Sequence, residues 1–273
     1  MDYRIRYIAG VAEEPAKLSN FYQQYFGLKE LGRSPEGDVS LTDGFYNLTF
    51  FKRRSGLGEE DDSLGLNHFG IEIDDIHEIE GRLEEFAPRA VIKEEKGGLH
   101  HGEYRVYDPT NLPISLSVRS FGLNGEQRRM PSIRHVALSV PKNDEMTDFY
   151  CNVFGFHETT SSKRNRELDN PSRFVGDGAT ALAILRAPEL LALIEPPGTQ
   201  LKGGVNHFGF LVESMSDILG RLPGDDTSKR PSIRPMTEFR THDPEGNAID
   251  ISQIKGYEVD EGVWVRGPQP VEA

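Results

Sequence analysis

The chain writes one pattern twice. Tyr7 to Gly27 aligns with His135 to Gly155 at a constant offset, and Phe21-Tyr22 with Phe26-Gly27 returns as Phe149-Tyr150 with Phe154-Gly155. Asn67-His68-Phe69-Gly70 matches Asn206-His207-Phe208-Gly209, Gly81-Arg82-Leu83 matches Gly220-Arg221-Leu222, and Asp108-Pro109 matches Asp243-Pro244. The matches keep their order and similar spacing, so the chain is a duplication and must fold as two copies of one unit. Its 273 residues give room for two ordinary domains. We divide it into 1–120, a linker at 121–131 rich in Gly, Arg and polar residues, 132–255, and a tail at 256–273. Tyr257 and Trp264 are expected to dock that tail.

Each copy divides again. His135 to Val140 alternates like a strand, and Asp144 to Phe154 follows with helical spacing. His207 to Val212 alternates too, and Ser214 to Leu222 follows as a second helix. Arg173 to Val175, Thr180 to Leu185, Glu238 to Arg240 and Ala248 to Ile251 are short apolar stretches bounded by Gly, Asp and Pro, and they read as hairpin strands. The pattern is therefore α+β: strand, helix, then several strands, twice in each copy. Helices should cover one sheet face and leave the other to curl around a solvent-reachable cavity.

The copies differ at three matched points. The second has His135, His207 and Asp250 where the first has Tyr7, His68 and Ser115. By period-two counting, each of the three shares its strand face with mainly small residues: Ala137 and Ser139 with His135, Gly209 and the larger Leu211 with His207, Ala248 and Ser252 with Asp250. The bulky neighbours fall on the opposite face. Asp250 lies between two isoleucines, a costly place for a charge unless a cation compensates it. Two imidazoles and one carboxylate form a divalent-metal face with open positions. Any one of these residues alone reads more readily as structural; a strand His can hydrogen-bond the backbone, and an edge Asp can face water. On matching faces of repeat-related strands they read as a metal site, with Tyr7 and Ser115 unable to complete one in the first copy. That first copy reads as a unit kept for stability and packing.

These motifs resemble the vicinal oxygen chelate superfamily, which includes glyoxalase I, type I extradiol dioxygenases and bleomycin- or fosfomycin-resistance proteins. The resemblance rests on the opening strand with His135, the Phe-Tyr…Phe-Gly helix end, Asn206-His207-Phe208-Gly209, and Asp243-Pro244-Glu245-Gly246-Asn247 before the last ligand strand. It implies tandem domains, each of two βαβββ modules forming a curled mixed sheet. Four modules with the metal in the C-terminal half is similar to the two-domain extradiol dioxygenases, whose two His and one Glu would correspond to His135, His207 and Asp250. This chain departs from them in three ways. Asp250 replaces the Glu. No His lies between His157 and His207 or between His207 and His242, where ring-cleaving relatives place acid–base residues. Arg240 stands four residues before the Pro of the Asp-Pro turn, where they carry Tyr.

Arg240 and His242 share a strand face, so Arg240 can clamp a carboxylate or anionic oxygen, and His242 can serve as acid or base or simply support the turn. Glu195, before two prolines, reads as an exposed loop residue; His100-His101, read as strand neighbours, would point apart and make a poor chelate. Loops 55–65 and 161–171 should set specificity. The expected reaction is extradiol cleavage of a catechol-like ring with O2 on Fe(II), with Mn(II) a second choice. The alternatives are a glyoxalase-, epimerase- or lyase-like Lewis-acid enzyme, or a non-catalytic small-ligand-binding protein.

Charge narrows the partners. Thirty-one basic against 44 acidic side chains give a formal charge of -13, which argues against nucleic acid and anionic membranes and leaves a small-molecule substrate. Self-association into a homo-oligomer is compatible with the sequence. The single cysteine, Cys151, allows no intrachain disulfide, and the N-terminal residues carry no signal-peptide pattern, so the expected setting is the cytoplasm.

Overall fold

The computed structural model describes residues 3–54, 63–123, 129–186, 204–223, 227–230 and 237–253. Glu195, the tail with Tyr257 and Trp264, residues 124–128 of the linker and most of loop 55–65 lie outside the described residues. Four modules follow one another. The first is β1 (Arg4–Ala12), α1 (Pro15–Phe26), β2 (Lys29–Arg33), β3 (Val39–Thr42) and β4 (Asn47–Lys52). The second is β5 (Gly65–Glu72), α2 (Ile76–Phe86), β6 (Lys93–Glu94), β7 (Tyr104–Tyr107) and β8 (Pro113–Ser117). The third is β9 (Ser132–Val140), α3 (Asn143–Phe154), β10 (His157–Glu158), α4 (Thr160–Glu167), β11 (Arg173–Gly176) and β12 (Ala181–Arg186). The fourth is β13 (Gly204–Val212), α5 (Met215–Arg221), β14 (Ser228–Lys229), β15 (Phe239–His242) and β16 (Ala248–Gln253).

The expected α+β architecture is present. Modules one and two form an eight-stranded sheet in the order β2-β3-β4-β1-β5-β8-β7-β6, and modules three and four form its counterpart, β10-β11-β12-β9-β13-β16-β15-β14. In each sheet the opening strands of the two modules pair antiparallel at the centre, and each also pairs in parallel with the last strand of its own module. The Phe-Gly repeat ends a helix each time: Gly27 and Gly155 both sit at φ 67, the left-handed conformation that closes a helix and that a side chain would strain. One helix escaped the sequence reading. The stretch 161–171 starts as α4, whose residues are almost all polar, so no apolar periodicity announces it. Ser162 Oγ and Arg166 Nε both donate to Glu158 Oε1 at 2.7 Å and tie it to β10.

The two faces of each sheet divide as period two demands. Val136, Leu138, Phe208, Phe210, Ile249 and Ile251 turn toward the helices and join a hydrophobic cluster that runs across both halves. There, α1 packs against α5, α2 packs against α3, and strands β5 and β13 touch. Phe26 stacks on Phe210 at 4.2 Å between ring centroids. Polar contacts across this seam are reciprocal. Tyr22 donates to Asp243 Oδ2 at 2.9 Å, and its repeat mate Tyr150 donates to Asp108 Oδ2 at 3.0 Å. Asp43 accepts from the Ile133 amide at 2.8 Å, while Asp177 accepts from the Ile5 amide at 2.6 Å. Glu245 accepts from the Glu13 and Glu14 amides and closes the start of α1. The opposite faces, which carry His135, His207 and Asp250 in one sheet and Tyr7, His68 and Ser115 in the other, belong to separate side-chain clusters.

Candidate metal centre

Strand register sets the site. In the C-terminal sheet one row runs His135, Gly209, Asp250, Arg240 across four neighbouring strands. The next row runs Ala137, His207, Ala248, His242. Gly209 has no side chain, and the His135 ring fills the gap: a Cβ there would lie 2.0 Å from its Cε1. The ring thus leans over Gly209 toward Asp250. His207 approaches from the adjoining row among alanines, with Ala181 and Ala183 adding little bulk and Phe174 and Leu211 as apolar neighbours.

The three groups meet. His207 Nε2 is 3.1 Å and His135 Nε2 is 3.7 Å from Asp250 Oδ2, and one ligand atom from each residue lies within 4.8 Å of the others. Bonds of about 2.1 Å at tetrahedral or octahedral angles require ligand spacings of about 3.0–3.5 Å, so this set is slightly open for a divalent ion and close to it. The donor chemistry agrees. Asn206 Oδ1 sits 2.7 Å from His207 Nδ1, which fixes the ring and leaves Nε2 turned inward, as supporting groups of metal-bound His do. Burial, partly offset by Asp250 and reinforced by Arg240, pushes the His207 pKa down to about 4, so the imidazole is neutral at pH 7 and its lone pair is available. Burial would raise the Asp250 carboxyl, but the surrounding His207, Arg240 and His135 outweigh it and hold the group anionic, well below the usual carboxylate range. Among the described residues this is the cluster of His, Cys, Asp and Glu able to share an ion.

Two expectations need correction. The site is enclosed rather than solvent-reachable: His135 is 2%, His207 5% and Asp250 2% exposed. Counting alternation along single strands cannot show this, because the cover comes from neighbours such as Arg240 and from the apolar groups around the alanines. His242 is not drawn in. It is exposed at the end of β15, one row away from Asp250, while Arg240 is buried against the triad. Arg240 Nε donates to Asp250 Oδ1 at 2.6 Å, and one of its terminal nitrogens lies 3.2 Å from Oδ2 and 3.3 Å from His207 Nε2. From the sequence, Asn206 is a repeat match and Gly209 a repeat match and a small residue on the His207 face; that an Asn precedes and a Gly follows the strand His in both copies was the available signal.

The first copy shows what replaced the site. Asn67 still orients His68, at 2.6 Å, but Phe121 occupies the position in front of Gly70. Phe121, assigned to the linker from sequence, sits instead on a single helical turn at 120–122 with φ 53 and stacks on Tyr7 at 4.6 Å. Asn47 donates to its carbonyl at 2.8 Å. The space is thus filled by aromatic rings. His100 and His101 lie in the segment between β6 and β7, not on a strand. His100 Nδ1 meets Ser40 Oγ at 2.7 Å and His101 stacks on Phe51, so they diverge as expected but for a different reason. A surface cleft of about 1020 Å³ near Phe86, Tyr107 and Asn152 shares no residue with the triad.

Residues 132–222 match the family described as Glyoxalase/Bleomycin resistance protein/Dioxygenase superfamily. No curated protein matches the sequence significantly. Among solved structures, the Mn(II)-bound glyoxalase from Novosphingobium aromaticivorans is similar at TM-score 0.64 and 16% identity, over 92% of this chain and 81% of that one. The 2,3-dioxygenase LapB from Pseudomonas sp. KL28 is similar at 0.63 and 16%, over 92% and 91%. Homoprotocatechuate 2,3-dioxygenase from Arthrobacter globiformis is similar at 0.61 and 14%, over 92% and 79%. At these identities the likeness establishes the fold. Residues 132–222, a third of the chain, are thus similar to the glyoxalase, bleomycin resistance protein and dioxygenase superfamily, and the two sheets together share the fold of these solved structures.

Proposed function

We propose that the protein is a metal-dependent enzyme of the extradiol dioxygenase type, acting on a small catechol-like molecule that offers vicinal oxygens. The convergence of His135, His207 and Asp250 in one copy only, within a four-module chain, carries this reading. His135, His207 and Asp250 would hold the ion, with Fe(II) favoured and Mn(II) next. When bound, the ion would supply a Lewis-acid centre with open positions for adjacent oxygens and stabilise developing oxyanions. The chain's own groups do the rest. Gly209 and Asn206 fix the two imidazoles. The enclosed, largely apolar surroundings exclude water and strengthen electrostatic interactions. Arg240 offers a guanidinium beside the centre for an anionic oxygen. His242, at the exposed end of the same strand, would act no closer than the rim.

A second reading has its own observation. Among the described residues, no additional His joins the triad as a possible ligand, and Arg240 lies against it. Lewis-acid chemistry without O2, as in a glyoxalase or epimerase, fits that setting. One experiment separates the readings. Protein loaded anaerobically with Fe(II) is mixed with a panel of catechols while O2 is monitored. Uptake dependent on catechol and abolished by His207→Ala supports ring cleavage. Turnover of enediolate-forming substrates under argon with Mn(II) or Zn(II) supports the alternative, and a protein that binds small ligands without any metal would be a binding protein.

A further inference from the structure

We infer that Arg240 is a built-in counter-cation of the triad and that a divalent metal enters only by displacing its guanidinium tip. This rests on the reading of the triad as a metal site. Arg240 and Asp250 are both buried, at 4% and 2% exposure, so the carboxylate's charge is compensated inside the protein without any ion. The fork is bidentate: Nε takes Oδ1 at 2.6 Å, and a terminal nitrogen lies 3.2 Å from Oδ2. That same nitrogen lies 3.3 Å from His207 Nε2. With Nδ1–H committed to Asn206, a neutral imidazole has one lone pair, at Nε2. A single lone pair serves the arginine N–H or a metal, not both. Oδ2, the oxygen nearest both imidazoles, is likewise engaged by the guanidinium. Two positive charges contending for one buried carboxylate also repel each other at short range.

The duplication supports an arginine that does not depend on a metal for its place. Arg105 is its repeat mate and lies opposite Ser115 as Arg240 lies opposite Asp250. With no carboxylate at that point, Arg105 turns to Glu95, at 3.3 Å. The arm is kept in both copies and pairs with whichever carboxylate is in reach.

The test has a defined sign. Zn(II) is titrated calorimetrically into metal-free wild type, Arg240→Gln, Arg240→Lys and His207→Ala. Arg240→Gln should bind at least about tenfold more tightly than wild type, and Arg240→Lys in between, because a neighbouring group shifts metal affinity on this scale. The metal-free Arg240→Gln protein should melt at a lower temperature than wild type and recover with Zn(II). If Arg240 instead merely orients Asp250 as a supporting donor, Arg240→Gln binds about 10–100-fold more weakly, and the proposal is overturned. Equal affinity overturns it as well. No binding by any form, with His207→Ala indistinguishable from wild type, would remove the metal reading itself. A measurement on wild type guards against a variant that does not fold: the Arg240 Nε–H, followed by 15N NMR, should exchange slowly in the metal-free protein and lose that protection when Zn(II) is added. Unchanged protection in the Zn(II)-loaded protein contradicts displacement.

Discussion

Gly209 lacks a side chain, and the ring of His135 lies where one would be. Gly209→Ala must therefore move His135 off its line toward Asp250 while leaving both strands in register. The expected result is a loss of Zn(II) affinity of at least about 10–100-fold, with an overpacking cost of about 1–3 kcal/mol. Calorimetric titration beside a urea melt checks both, and undiminished affinity would mean that the His135 orientation does not matter. Replacing His242 with Ala should lower turnover less than about tenfold, because its side chain is exposed and lies two strands from His207, whereas the same change at His207 should abolish it. The three residues of the triad were legible as a group because strand side chains alternate and a duplication lets one copy be read against the other. Arg240 was legible only as a substrate clamp. Its pairing with Asp250 depends on which strands are neighbours, and local periodicity does not encode that. The signal was present in the pair Arg105 and Arg240, each three residues before an Asp-Pro turn.

At the scale of elements, the short turn at 120–122 decides the fate of the first copy. Phe121 and Tyr7 fill the face that holds the triad in the second copy, and the backbone accepts a left-handed Phe to bring this about. Phe121→Ala removes a fully buried ring and should cost about 3–5 kcal/mol, read as a shift of the urea midpoint. Relief of the positive φ does not offset that loss, since Ala tolerates it no better. The variant should gain no metal, because Tyr7 and Ser115 still stand at two of the three positions. A Zn(II) stoichiometry above that of wild type would contradict this account. The sequence showed that the first copy has Tyr7 and Ser115 at two of the three matched positions but not what fills the face beside them, since Phe121 follows the last strand of its sheet and looks like the start of a connection. Helix α4 was hidden for a related reason. It is held by Glu158 and by the Arg166 pair with Asp144 at 2.5 Å, not by an apolar stripe.

Across the whole molecule the two halves exchange buried polar contacts, and this bears on how the chain unfolds. Tyr22 reaches Asp243 in the other half and Tyr150 reaches Asp108, so the first helix of each half is tied to an Asp-Pro turn of the opposite sheet. Burial raises both carboxyls above the ordinary Asp value, against the pull of hydrogen bonds from Asn247 and Tyr22 at Asp243 and from Leu112, Thr110 and Tyr150 at Asp108. A raised folded pKa means that the folded state holds the proton more tightly than the unfolded one. These two groups therefore take stability away as pH rises from about 4 through their raised values. Removing a donor to the ionised form enlarges that loss. Tyr22→Phe and Tyr150→Phe should each cost about 1–3 kcal/mol near neutrality, and less at pH values below about 4, where both carboxyls carry a proton in either state. For a chain of this size, each kcal/mol moves the melting temperature by about 2–4 °C. Because the hydrophobic cluster is continuous across the seam, either substitution should shift one calorimetric transition rather than split it. Two transitions, with only one moved by each variant, would show that the halves melt independently and that the reciprocal contacts bind them too weakly to couple their folding.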